Sequence, residues 1–105
     1  MRASRDGNLS RVDSLIQGGA SLDIQDSIGN TALMIASYVG NKSIVDSLIR
    51  AGASVDIQNR SGETALILAS IRENRTVVDS LIHARASLDI QDNAGNTALI
   101  MEMDP

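Results

Sequence analysis

The chain has 105 residues, 43% of them hydrophobic and 21% charged, which is the length and composition of one globular domain and excludes a disordered segment. Its formal net charge of -4, with Lys and Arg scattered along the sequence, argues against nucleic acid as a partner, because phosphate binding needs a basic cluster. No apolar stretch approaches the roughly 20 residues of a membrane-spanning helix, and the absence of cysteine excludes disulfides and thiolate metal sites. We therefore expect an intracellular, cytoplasmic protein that binds neither nucleic acid nor membrane.

A repeat with a period of 33 residues runs through the sequence. Three segments align without a gap, each 33 residues after the one before: 12–33, 45–66 and 78–99. Of the 22 aligned positions, 14 are identical in all three segments. Repetition of this kind predicts a stack of similar structural units, each of which buries its apolar face against its neighbours.

Each period opens with a short apolar run that predicts a helix. Thr31 and Thr64 precede the runs ALMIAS and ALILAS, and a threonine hydroxyl can accept a hydrogen bond from the free backbone N–H groups of a first helical turn. We predict helices over residues 31–39 and 64–72, and we expect Gly40 to end the first of them in left-handed backbone.

A second helix follows in each period. Asn41 and Asn74 are its predicted N-caps, and Val45, Leu48 and Ile49 then form one apolar stripe at i, i+3 and i+4. A polar, glycine-containing segment comes next, which predicts an extended, hairpin-like loop. One such pair of helices cannot bury its own apolar face, so about three stacked units are needed for stability.

This pattern resembles the ankyrin repeat family. The period of 33 residues matches that family, the T-A-L-x-x-A segments stand where it usually carries T-P-L-H-x-A, and Gly52-Ala53 followed by Val55-Asp56 resembles its G-A-x-V-N. The resemblance covers essentially the whole chain and implies an all-α solenoid of stacked helix-turn-helix units with hairpin-like loops, about three repeats long. We expect one domain over residues 1–105, divided into a partial repeat 1–25, a repeat 26–58, a repeat 59–91 and a partial repeat 92–105.

Two positions in the last full repeat depart from the glycines of the pattern. Glu73 stands where the preceding repeat has Gly40, and Arg85 stands where it has Gly52. A non-glycine residue in left-handed backbone costs on the order of 1 kcal/mol. We therefore predict that this repeat is the less regular one.

The resemblance implies that the chain is a protein–protein interaction module, whose partner contacts the loop tips and the exposed face of the first helices. The corresponding residues differ between repeats that are otherwise nearly identical, as expected of a variable surface on a fixed scaffold. Tyrosine and arginine are also enriched in the energetic centres of interfaces. Arg5 and Asp6 hold the helix-end positions upstream. We predict a partner-binding patch centred on Tyr38, Val39, Ile71 and Arg72, with a rim at Arg60 and Glu63 and loop-tip contacts from Ile28 and Asn30.

Catalysis is not predicted from this composition. His83 is the only histidine, it lies near the end of a predicted helix, and no cysteine or glycine-rich phosphate loop accompanies it. The segment around Asp23 and Asp26 lacks the spacing of calcium ligands, because its acidic residues are three apart. We therefore predict no catalytic residues, no cofactor and no metal site.

A second interpretation assigns the chain a structural role. It would be a spacer or scaffold segment of a longer ankyrin array, or an engineered repeat protein, with no partner of its own. Neither end of the sequence shows a polar capping repeat, which solenoids normally need for solubility. Self-association through these uncapped repeat ends is therefore a further expectation.

Overall fold

A computed structural model describes residues 22–98, and this part of the chain is a stack of helix pairs. The helices are α1 (Ala32–Val39), α2 (Lys42–Arg50), α3 (Ala65–Ile71) and α4 (Arg75–His83). No strand occurs between residues 22 and 98, and the predicted all-α solenoid is confirmed. Within the same residues, no helix is long and apolar enough to cross a membrane. The predicted repeat boundaries stay a prediction, and residues 1–21 and 99–105 of the two partial repeats lie outside the described residues.

The first helix of each pair begins after the threonine that the sequence indicates. Thr31 Oγ1 accepts a hydrogen bond from the backbone N–H of Met34 at 3.2 Å, and Thr64 Oγ1 accepts one from Ile67 at 3.2 Å. Each cap satisfies one of the N–H groups that a helix leaves free in its first turn. The predicted starts are confirmed, and both helices end within one residue of the predicted bounds.

The second helix of each pair is capped by asparagine, as predicted. Asn41 Oδ1 and Asn74 Oδ1 each accept a hydrogen bond from the backbone N–H three residues later, at 3.2 Å and 3.3 Å. Val45 and Leu48 of the predicted apolar stripe are fully buried, and Ile49 is partly buried against the core. The stripe therefore faces the other helices, as its spacing indicates.

The helix α3 lies at the centre of the described stack. It packs against α1 and α4, and α2 in turn contacts both of those helices. Every residue of α3 from Ala65 to Ser70 is buried, which requires neighbours around most of the helix circumference. The core is built from aliphatic and methionine side chains, of which the largest fully buried are Leu33, Met34, Ile44, Leu48, Leu66, Ile67 and Leu81.

The two positions without the glycine of the pattern keep left-handed backbone. The φ angle is 56° at Glu73 and 66° at Arg85, compared with 89° at Gly40 and 96° at Gly52 in the preceding repeat. Both repeats therefore make the same turns, and the later one holds side chains where the backbone favours glycine. The lower regularity predicted for this repeat stays a prediction, because it concerns local stability.

Candidate functional site

The loop before α1 ends in a tight turn held by one aspartate. Asp26 Oδ1 accepts hydrogen bonds from the backbone N–H groups of Ile28 at 3.1 Å and Asn30 at 2.9 Å. Gly29 has a φ of +87°, and a Cβ there would lie 2.9 Å from the backbone N of Arg60. Glycine is therefore required at this position by both the conformation and the close approach of the next loop. The turn leaves Ile28 exposed at its tip.

The next loop repeats this turn with an asparagine. Asn59 Oδ1 accepts hydrogen bonds from the backbone N–H groups of Ser61 at 3.0 Å and Glu63 at 2.9 Å. Asn59 Nδ2 donates to Asn30 Oδ1 at 2.9 Å and to Glu63 Oε1 at 3.1 Å. One amide thus joins two of the predicted binding residues, Asn30 and Glu63, across adjacent repeats and fixes the distance between the loop tips.

Glutamine side chains hold adjacent loops together. Gln25 Nε2 donates to the carbonyl oxygens of Gly29 at 2.8 Å and Gln58 at 3.0 Å. Gln58 Nε2 makes the same two bonds one period later, to Gly62 at 2.9 Å and Gln91 at 3.2 Å. Gln25 and Gln58 thus play the same part in two successive loops.

A groove of about 590 Å³ lies between the loop tips and the helices α1 and α3. Its apolar wall is formed by Ile28, Met34, Ile35, Tyr38, Val39 and Leu68. Its polar wall is formed by Asp26, Asn30, Asn59, Arg60, Ser61 and Glu63. A concave surface that combines apolar side chains with a few polar groups is typical of a binding site.

The C-terminal ends of α1 and α3 extend this surface beyond the groove. Arg72 Cζ lies 4.9 Å from the centroid of the Tyr38 ring, which is the geometry of a cation–π contact. Tyr38, Val39 and Ile71 are all exposed. Large side chains of two successive repeats are thus presented to solvent at the same end of the first helices.

The structure brings six of the eight predicted binding residues to the groove: Ile28, Asn30, Tyr38, Val39, Arg60 and Glu63. Arg72 does not line it and instead covers the Tyr38 ring. Ile71 lies at the end of α3, outside the lining. Binding by any of these residues stays a prediction, and Arg5 and Asp6 lie outside the described residues.

Sequence reasoning missed the helical wall of the groove. Ile35 on α1 is half-buried, Leu68 on α3 is buried, and both line the groove. Ile35 precedes Tyr38 by three residues, so the two share one side of a helix. The helical period therefore predicts that Ile35 lies beside Tyr38 in the groove. The repeat period then predicts the same position for Leu68, which stands 33 residues after Ile35.

The second helices present a different surface, on which one ion pair lies within α2. Lys42 Nζ lies 2.6 Å from Asp46 Oδ2. The hydrogen bond from Lys42 is the main reason why the pKa of Asp46 lies below its ordinary value; burial opposes this, and the nearby Ser80 hydroxyl of α4 supports it. His83 lies at the end of α4, with its Nδ1 2.7 Å from the carbonyl oxygen of Asp79. Between residues 22 and 98, no group of three His, Cys, Asp or Glu side chains could hold a metal ion.

Comparison with known proteins agrees with this architecture. A family model described as ankyrin repeats, in three copies, matches residues 1–94. No curated protein matches the chain. The family match therefore covers both described helix pairs and the groove between them.

Proposed function

Because the chain belongs to the ankyrin-repeat family, whose members are generally non-catalytic protein–protein interaction modules, we propose that it binds a partner protein. The binding surface is the groove between the loop tips and α1, extended by Ile71 and Arg72. The partner segment places an apolar side chain in the groove and a carboxylate beside it. The observation that carries this proposal is the grouping of exposed apolar side chains around one concavity, with Arg60 in its wall.

The apolar part of the proposed contact consists of side chains that the fold leaves in water. Ile28, Tyr38 and Val39 are 58%, 47% and 51% exposed and line the same groove. Covering apolar surface contributes about 25 cal/mol per Å², and exposed apolar residues that are grouped rather than scattered mark interaction sites. The Arg72 contact also restrains the Tyr38 ring, which lowers the entropy lost on binding.

The charge expected of the partner follows from which charged side chains of this surface already have hydrogen-bond partners within the chain. Asp26 accepts hydrogen bonds within its own turn, and Glu63 accepts one from Asn59. Arg60 and Arg72, by contrast, form no ion pair and no side-chain hydrogen bond with the residues that the structure describes. A carboxylate on the partner supplies the acceptors that these guanidinium groups lack.

Selection of a displayed peptide library on the 105-residue chain tests this proposal. Peptides that bind are expected to contain an aliphatic or aromatic residue next to Asp or Glu. Their affinity, measured by calorimetry, is expected to fall about tenfold or more on Tyr38→Ala or Arg60→Ala, which is the size of loss typical of residues in the energetic centre of an interface. Arg75→Ala is the matched control, because Arg75 is an exposed arginine on α4 and does not line the groove.

Two further results separate binding from a purely structural role. Tyr38→Ala is expected to lower the melting temperature by only a few degrees, because the side chain is half exposed and its contact with Arg72 contributes about 0.5–1 kcal/mol. A spacer would yield no peptide whose binding depends on a groove residue. Selected peptides that bind both groove variants as tightly as the original chain would place the site elsewhere and contradict the proposal.

A further inference from the structure

Three loops stack side by side in the described part of the chain, and only the middle one, residues 55–63, has a neighbouring loop on both sides. We call residues 22–30 the entry loop and residues 88–96 the exit loop. The hydrogen bonds between successive loops repeat every 33 residues, because the same atoms of each loop bond to the same atoms of the next. Each group on the outward edge of the entry or exit loop therefore has an equivalent inside the stack, whose contacts show what that group can bind.

The exit loop exposes polar groups that the earlier loops use. Gln58 Nε2 donates to the carbonyl oxygen of Gln91 at 3.2 Å, whereas Gln91 Nε2 has no acceptor among the described residues. Asp56 Oδ1 accepts a hydrogen bond from the backbone N–H of Ser87 at 2.8 Å. Asp89 stands one period later, and its carboxylate accepts from none of the described residues.

The exit edge is also apolar and open. Leu88 is 50% exposed, although Val55, at the same place in the middle loop, packs against the core. A Cβ at Gly62 would lie 2.9 Å from the backbone N of Asn93, whereas a Cβ at Gly95 would meet nothing within 4 Å. The side of the turn that touches the following loop at Gly62 therefore faces solvent at Gly95.

The entry loop presents the other half of this contact. Arg60 N donates to the carbonyl oxygen of Ile28 at 3.1 Å, and Asn93 N donates to that of Ser61 at 2.9 Å. Ser27 stands one period before Arg60, and its N–H has no acceptor among the described residues. The entry edge thus holds a free backbone donor at the position where the inner loops donate.

The entry edge also leaves one acceptor and one apolar side chain without the contacts that the middle loop makes. The carbonyl oxygen of Gln58 accepts from the preceding glutamine side chain, but that of Gln25 accepts from no described residue. Ile24 is 62% exposed, whereas Ile57, one period later, is partly buried against the core. The Gln25 carbonyl on the entry edge therefore has its complement in Gln91 Nε2 on the exit edge, and each edge exposes one large apolar side chain.

We propose that this chain assembles head to tail with further copies of itself, the exit loop of one copy binding the entry loop of the next. Gln91 Nε2 then donates to the Gln25 carbonyl of the next copy, and the Ser27 N–H of that copy donates to the Ala94 carbonyl. Leu88 and Ile24 are covered in the same contact. A second copy is the occupant that the structure favours, because the middle loop already makes these bonds in the same register and shares its D-I-Q segment with both edges.

This contact joins two different surfaces, so it is not used up in a pair of copies and continues from copy to copy into a ring or a filament. The proposal does not depend on the groove or on its partner. Because the chain has a net charge of -4, copies repel one another at long range, and association is expected to strengthen as salt screens that repulsion.

Sedimentation velocity and light scattering over a range from micromolar to millimolar protein test the assembly. The average mass is expected to rise with concentration beyond that of two copies. Ile24→Glu and Leu88→Glu are each expected to abolish the rise, because each places a charge in one of the two edges that make the contact. Ser43→Glu is the matched control, since it adds the same charge at an exposed position of α2, outside the entry and exit loops. A mass that stays at one copy at every concentration would overturn the proposal.

Mixing the two edge variants distinguishes head-to-tail assembly from a symmetric dimer. The Ile24→Glu chain keeps its exit edge and the Leu88→Glu chain keeps its entry edge, so an equimolar mixture is expected to give pairs and nothing larger. Association that the mixture fails to restore would overturn the proposed geometry.

Hydrogen exchange on the unmodified chain gives a second test that holds even if a variant fails to fold. The Ser27 amide is expected to become protected as the protein concentration rises. An unchanged exchange rate in the associated state would overturn the proposed register.

Discussion

Arg72 lies over the ring of Tyr38, with 4.9 Å between Arg72 Cζ and the ring centroid, and this contact joins the ends of two successive first helices. Tyr38 lines the groove and Arg72 does not, so a residue outside the groove orients one inside it. Both residues are exposed, and a cation–π contact at an exposed site contributes about 0.5–1 kcal/mol. The same pair therefore links neighbouring repeats and holds the aromatic ring in the lining of the groove.

A double-mutant cycle measures this link. Arg72→Ala, Tyr38→Leu and the double variant are compared by urea denaturation, and the coupling between the two positions is expected to be about 0.5–1 kcal/mol. Leucine keeps an apolar side chain at position 38 while removing the ring face. A coupling of zero within error would show that the stacked geometry contributes nothing in solution.

Arg85 and Gly52 both have left-handed backbone just after a second helix, so exchanging arginine and glycine at these two positions is expected to change the free energy of unfolding in opposite directions. Arg85 has a φ of 66° and Gly52, one period earlier, has a φ of 96°. Arg85→Gly is expected to raise the free energy of unfolding by about 0.5–1 kcal/mol, because relief of the strain exceeds the entropy that glycine adds to the unfolded chain. Gly52→Arg is expected to lower it by about 1 kcal/mol.

Thermal and chemical denaturation of the two single variants check this pair. A Cβ at Gly52 would meet no atom within 4 Å, so Gly52→Ala is a companion variant whose loss of stability reflects backbone strain rather than a steric clash. Stabilisation by Gly52→Arg, or destabilisation by Arg85→Gly, would contradict the assignment of strain to these turns.

The parts of the fold that depend on short-range chemistry could be predicted from the sequence. Thr31 and Asn41 cap their helices because each places an acceptor three residues before a free N–H group, and this needs no knowledge of distant residues. Gly40 was expected in left-handed backbone for an equally local reason. The repeat period then carried these local assignments to the next helix pair.

The candidate site could be predicted only in part, because it depends on how the repeats stack. The two loops of the polar wall are joined by the bond of Asn59 to Asn30, which links residues about one period apart. The direction of the Arg72 side chain, toward Tyr38 rather than into the groove, also follows from the position of a neighbouring repeat. Variation between repeats indicated which positions are exposed, but it could not indicate which of them share one cavity.

Ser37 and Ser70 occupy equivalent positions and predict different responses to alanine. Both are buried, but Ser70 Oγ donates to the carbonyl oxygen of Leu66 at 2.8 Å, whereas Ser37 Oγ has no hydrogen-bond partner among residues 22–98. A buried hydroxyl without a partner costs about 1–3 kcal/mol. Urea denaturation is therefore expected to give the Ser37→Ala chain a free energy of unfolding about 1 kcal/mol higher than that of the Ser70→Ala chain. Equal effects of the two substitutions would mean that the Ser37 hydroxyl is satisfied in solution.

The bond between Lys42 and Asp46 is expected to make the free energy of unfolding depend on pH. Its hydrogen bond from Lys42 holds the pKa of the carboxyl below its ordinary value in the folded chain. In the unfolded chain that bond is lost and the pKa returns to about 3.9, so the unfolded chain binds more protons as the pH falls. The stabilising contribution is therefore complete above the unfolded value and is lost as the pH falls through the folded value.

Urea denaturation of the original chain and of Asp46→Asn over a pH series tests this linkage. The original chain is expected to be the more stable above the unfolded pKa, and the difference between the two is expected to shrink as the pH falls below it. Asp79→Asn is the matched control, because Asp79 holds the same place on α4 and forms no ion pair with the described residues. High salt is expected to reduce the Asp46 effect, since the Lys42 ammonium is half exposed and its attraction is screened. A difference between the original chain and Asp46→Asn that stays constant with pH would show that the Lys42 bond does not persist in solution.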